Sequence, residues 1–170
     1  MYGAIQKYGV TSTRGSAFGA TFAIALMVSC APALAADQVN TGYFGGVAIM
    51  GYDPVAYFTE GRAMKGSEEF SYEWLGTPWQ FANGKHRELF IGDPTKYAPQ
   101  YGGFCVGEVA FNGATFNLDP EAWAIIDGKL YVAYSKEFMA KFKARPNDFL
   151  AEAEANWPAV ETQLEQDGFQ

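Results

Sequence analysis

Trp123-Ala124-Ile125-Ile126-Asp127-Gly128-Lys129-Leu130-Tyr131-Val132-Ala133-Tyr134 holds two apolar runs separated by Asp-Gly. A two-residue hairpin turn needs positive φ at both central positions, and Asp-Gly tolerates that better than most pairs. The stretch therefore predicts an antiparallel hairpin. Upstream, Phe70-Ser71-Tyr72-Glu73-Trp74 and Trp79-Gln80-Phe81 place aromatics on alternate residues, the strand period. Leu75-Gly76-Thr77-Pro78 between them has turn chemistry, so a second hairpin with an aromatic face is expected. Asn83 can cap a following helix in which His86, Leu89 and Phe90 share a face, and Asp93-Pro94 ends it. Ser135 can cap a later helix carrying Phe138 and Phe142 at i, i+4. Pro146 begins another, rich in helix formers from Ala151 to Ala155, which Trp157-Pro158 is expected to break before a short amphipathic tail. The order of these segments predicts an α+β fold, a small antiparallel sheet of hairpins with helices packed on one face, in a single domain.

The composition is that of a globular chain. Of 170 residues 49% are hydrophobic and 18% charged, with Gly 19 and Pro 8; disorder, collagen and coiled coil do not fit. Acidic residues number 19 against 12 basic, a formal net charge of −7. A basic footprint for nucleic acid is absent, and an anionic membrane surface would repel the chain. Two cysteines and one histidine exclude a disulfide framework and a His/Cys-rich zinc site.

Residues 1–36 read as a signal peptide. Lys7 and Arg14 supply a positive n-region, residues 15–28 an uncharged h-region, and Ala33-Leu34-Ala35 small residues at a cleavage site. The apolar run is short for a membrane span, so no transmembrane anchor is expected in the mature form. Met27-Val28-Ser29-Cys30 faintly resembles a lipoprotein box, with Met poorly suited to its first position. Ordinary cleavage removes Cys30 and both leader cations. The mature protein then becomes more acidic and keeps one thiol, Cys105. Residues 37–50 are expected to form an N-terminal docking arm, 51–160 the main domain and 161–170 a tail.

The chemistry-bearing residues are few. No dinucleotide fingerprint, Walker loop, His-Glu-x-x-His, Gly-x-Ser-x-Gly or Cys-x-x-Cys is present. With one histidine, a Cys105–His86 dyad is the only cysteine nucleophile arrangement the sequence offers. Cys105 follows Tyr101-Gly102-Gly103-Phe104, a glycine pair that lets backbone approach closely. At a helix N-terminus its thiolate would be favoured and its pKa lowered; buried, it would behave as a small hydrophobe. Asp53, before Pro54, is a helix cap or turn former, or else a hard-metal ligand or base. Met50, Met64 and Met139 offer thioethers. Fourteen Phe, ten Tyr and four Trp can fill the core and still line a cleft for a hydrophobic ligand.

Several of these stretches together resemble the YHS-domain family, in particular its exported bacterial, selenoprotein-related branch. They are Gly51-Tyr52-Asp53-Pro54-Val55-Ala56-Tyr57-Phe58, Trp79-Gln80-Phe81-Ala82-Asn83, His86-Arg87, Phe90, Asp93-Pro94-Thr95-Lys96-Tyr97, Tyr101-Gly102-Gly103-Phe104-Cys105, Trp123-Ala124-Ile125-Ile126-Asp127-Gly128-Lys129-Leu130-Tyr131 and Ala155-Asn156-Trp157-Pro158. The resemblance implies a periplasmic, presumed metal-binding module, often associated with copper. The family's cysteine ligands are replaced here by Ala56 and Ala82, and His86 alone stands at a matching position. Soft-metal handling, Cu(I) first, by Cys105 with His86 as partner is the expectation that follows, with a metal- or thiol-exchange protein as partner. A thiol-redox role of Cys105 and a metal-free ligand- or partner-binding module are the alternatives.

Overall fold

Two hairpins set the frame. The computed structural model describes residues 38–42 and 45–167; the predicted leader lies outside the described residues. β1 (Ser67–Trp74) pairs antiparallel with β2 (Thr77–Phe81), and β3 (Asp119–Ile126) with β4 (Lys129–Ala133). Both turns have two residues. Asp127 and Gly128 sit at φ 51° and 75°, and Leu75 and Gly76 at 52° and 67°, so both hairpins use the left-handed turn that matches strand twist. Thr77 and Pro78, expected in the turn, belong to β2 and pair with Trp74 and Glu73.

The architecture is α+β, with two separate two-stranded sheets among the described residues. Helices fill the rest: α1 (Pro54–Thr59), α2 (Gly84–Gly92), α3 (Pro94–Tyr97), α4 (Val106–Asn112), α5 (Lys136–Ala144) and α6 (Pro146–Asp167). The anticipated caps are in place. Asn83 Oδ1 accepts from the His86 N–H at 2.9 Å, and Ser135 Oγ from the Phe138 N–H at 3.2 Å. Asp93 both ends α2 and caps α3.

The β3–β4 hairpin is covered on both faces, and its residues alternate between two cores. Leu130 and Val132 join Val55, Trp79, Phe81 and Phe90; Tyr131 and Ala133 join Val109, Phe138, Phe142 and Phe149. This is why Leu-Tyr-Val-Ala reads as an unbroken apolar run: a strand buried on both sides has no position left for a polar residue. The first core belongs to the β1–β2 hairpin and α1–α3, the second to α4–α6.

α6 departs from expectation. It runs unbroken through Pro158 to Asp167. Proline removes one backbone donor and normally kinks a helix interior. Here Ala153 before the proline and Val160 and Leu164 after it are all buried in the second core. The Asn156 amide donates to the Val109 and Ala110 carbonyls at 3.0 Å each, satisfying the open end of α4. Packing on both sides of Pro158 outweighs the local penalty.

Residues 38–42 dock against the 3-10 turn Tyr101–Gly103. The Asn40 N–H donates to the Gly102 carbonyl at 2.8 Å, and the buried Asn40 amide to Gly103 O at 3.1 Å. A side chain at Gly102 would overlap the Gln38 carbonyl oxygen. The glycine pair serves this close approach. Because Leu130 faces the first core from the shared wall, Leu130→Ala is expected to cost about 2–5 kcal/mol, read as a lower urea midpoint at unchanged slope.

Candidate functional site

Asp53 is fully buried and accepts four hydrogen bonds. Oδ1 takes the N–H groups of Val55 (2.9 Å) and Ala56 (3.2 Å), capping α1; Oδ2 takes the Ala82 N–H (2.8 Å) and His86 Nδ1 (2.6 Å). One carboxylate thus joins α1, the end of β2 and α2. A carboxylate can only accept, so the ring carries a proton on Nδ1. Nε2 faces Thr59 Oγ1 at 3.2 Å and Glu60 Oε1 at 3.7 Å. The sequence of carboxylate, imidazole and hydroxyl is that of a nucleophile relay. Thr59 Oγ1, however, donates back to Val55 O at 3.2 Å within its own helix, so its hydrogen is not free for the ring. With His86 only 4% exposed, the assembly acts as a clamp.

Cys105 stands at the N-cap position of α4, and of its two readings the buried hydrophobe is the one found: its pKa is raised, not lowered. The thiol is 0% exposed, and burial pushes its pKa above the ordinary value; backbone hydrogen bonds from Glu108, Tyr134 and Gly107 pull weakly the other way. Desolvation of the anion outweighs a helix terminus of only seven residues. Cys105 belongs to the second core with Val106 and Val109, whereas Phe90, one turn beyond His86, belongs to the first. No hydrogen bond or ion pair joins Cys105 to His86. Among the described residues no group of three or more His, Cys, Asp or Glu could hold a metal ion. Met139 is buried, and Met50 lies at the surface beside the N-terminal segment.

The cleft suggested by the aromatic surplus exists. A cavity of about 230 Å³ opens between the β1–β2 turn, the Tyr101–Gly103 turn and α6, with Trp74, Trp79, Tyr101 and Trp157 in its walls. Trp79 is its buried base; Trp74, Tyr101 and Trp157 are half-buried. The rings brace one another, Trp74 on Trp79 at 5.6 Å and Tyr101 on Trp157 at 5.5 Å between centroids. Burial raises the Tyr101 pKa strongly, aided by Tyr131 and Glu154, so its phenol stays neutral. Gln38, Gln100 and Glu161 supply polar atoms. The Gln38 amide donates to Glu165 at 2.7 Å, tying the N-terminal segment to α6. Sequence reading missed Gln38 and Glu161, because a broken helix at Pro158 would have carried Glu161 elsewhere.

Compared with protein-family models, curated proteins and solved structures, the chain matches none. Fold and site define an α+β domain with a surface cleft walled by aromatic rings and, in its first core, a buried carboxylate–imidazole clamp.

Asp53→Ala would leave His86 Nδ1 and three backbone N–H groups without their acceptor, and is expected to destabilise by about 3–5 kcal/mol. His86→Ala keeps the three backbone bonds and should cost less; urea unfolding of both variants measures the difference. Cys105 should be inert to a thiol reagent in the native protein and react fully in denaturant. Its raised pKa favours the folded state below the ordinary thiol value of 9.0, and that contribution is lost as pH rises above it, since the unfolded thiol ionises first. The stability gap between wild type and Cys105→Ala should therefore narrow on the alkaline side.

Proposed function

We propose that this protein is a non-catalytic binding module that holds a small organic molecule in the cleft formed by Trp74, Tyr101 and Trp157, acting in the periplasm once residues 1–36 are removed. The observation that carries this reading is the cleft itself, with walls already in place and three partly exposed rings. A cavity of about 150 Å³ is enough to take up benzene, so the space here suits a ligand of a few more heavy atoms. Ring–ring bracing holds the aromatic surfaces in position before a ligand arrives, which reduces the ordering cost of binding.

Copper handling by Cys105 and His86 and thiol exchange at Cys105 are the competing proposals. Both require the sulfur to meet a ligand or a partner, and its full burial and raised pKa work against both. The residues that carry the YHS resemblance suit a scaffold equally well. Asp53, Trp79, Phe81, His86 and Phe90 are all buried, and they act here as cap, clamp and core.

Ligand-observed NMR with indole as the probe tests the proposal, beside an anaerobic Cu(I) competition titration. Indole should bind wild type and Cys105→Ala alike and lose its signal in Trp157→Ala, with Cu(I) held no better by wild type than by Cys105→Ala. Absence of indole binding, together with tight one-to-one Cu(I) binding lost in Cys105→Ala, would replace this reading by the copper one.

A further inference from the structure

Trp157 and Glu161 stand four residues apart on α6, one turn on the same face, and both line the cleft. Glu161 is half-buried, and among the described residues it takes part in no ion pair. Among the described residues the cleft lining contains no Lys, Arg or His. Among these residues a carboxylate therefore stands without a countercharge beside the rings of Trp74, Tyr101 and Trp157.

These features select a ligand charge. An anion would meet Glu161 and a chain of net charge −7. A neutral apolar ligand would remove water from the carboxylate and offer nothing in return. A cation gains from the carboxylate and from the negative faces of the rings. Its form is also constrained: four rings stand among the lining residues, and a ring face supplies no acceptor for the three N–H bonds of a primary ammonium. A cation whose charge is spread over methyl groups needs none.

We propose that the cleft binds a small organic cation of the quaternary-ammonium class, with Glu161 as countercharge and Trp74, Tyr101 and Trp157 as the surrounding faces. This rests on the cleft being the ligand site. It goes further in fixing the sign of the ligand's charge and assigning a role to Glu161.

The test uses two probes of nearly the same shape, choline and its uncharged carbon isostere 3,3-dimethylbutanol, titrated while tryptophan fluorescence is followed. Choline should bind roughly tenfold more tightly than the alcohol at low ionic strength, and added salt should shrink the difference. Glu161→Gln, a near-isosteric change at a half-buried position, should bring the two probes to within about twofold by weakening choline alone. Equal binding of both probes to wild type, or binding of indole but of neither probe, would overturn the cation assignment and leave the cleft as a neutral-ligand site. Failure of choline, the alcohol and indole together would overturn the cleft reading as well.

Discussion

The Asp53 carboxylate is the constraint on which the first half of the domain depends. It is fully buried and takes donors from α1, from the end of β2 and from α2. Any displacement of one of these elements would leave either a buried anion or a buried N–H without a partner, and both are expensive in a low-dielectric interior. Every described buried side-chain nitrogen or oxygen has a partner, so the domain holds no slack at this point. The aromatic core of Trp79, Phe81 and Phe90 packs around a joint that is already fixed.

The second constraint is the β3–β4 wall. Its alternating residues serve two cores at once, so the two sets of helices cannot shift independently across it. Tyr57 reinforces the join, donating from its buried phenol to the Pro120 carbonyl at 2.9 Å. The cleft lies where elements of both halves meet at the surface: the β1–β2 turn on one side, the Tyr101–Gly103 turn and α6 on the other.

His86 and Cys105, the residues whose chemistry stands out in the sequence, are both buried, one in a clamp and one in a core. The residues proposed for recognition, Trp157 and Glu161, lie on a helix whose second half depends on long-range contacts. A chemically distinctive side chain is as useful for cohesion as for catalysis, and only its surroundings tell which.

The α+β class, both hairpins, the Asn83 and Ser135 caps and the helices that follow were all legible in the sequence, because each is set by interactions within a few residues: turn dihedrals, a side-chain cap, an alternating strand. The cap role of Asp53 before Pro54 was legible for the same reason. Its hold on His86 was not, since the two are 33 residues apart and no local pattern links them. The sequence left Cys105 either a helix N-terminal thiol with a lowered pKa or a small buried hydrophobe; burial by partners distant in the chain decided for the second. Pro158 marked a break on local grounds, and the buried contacts of Ala153, Val160 and Leu164 carried the helix through it. The sequence by itself determined where strands turn and helices start. Tertiary packing decided which polar groups lose their water, and with that which residues hold the fold and which are left lining the cleft.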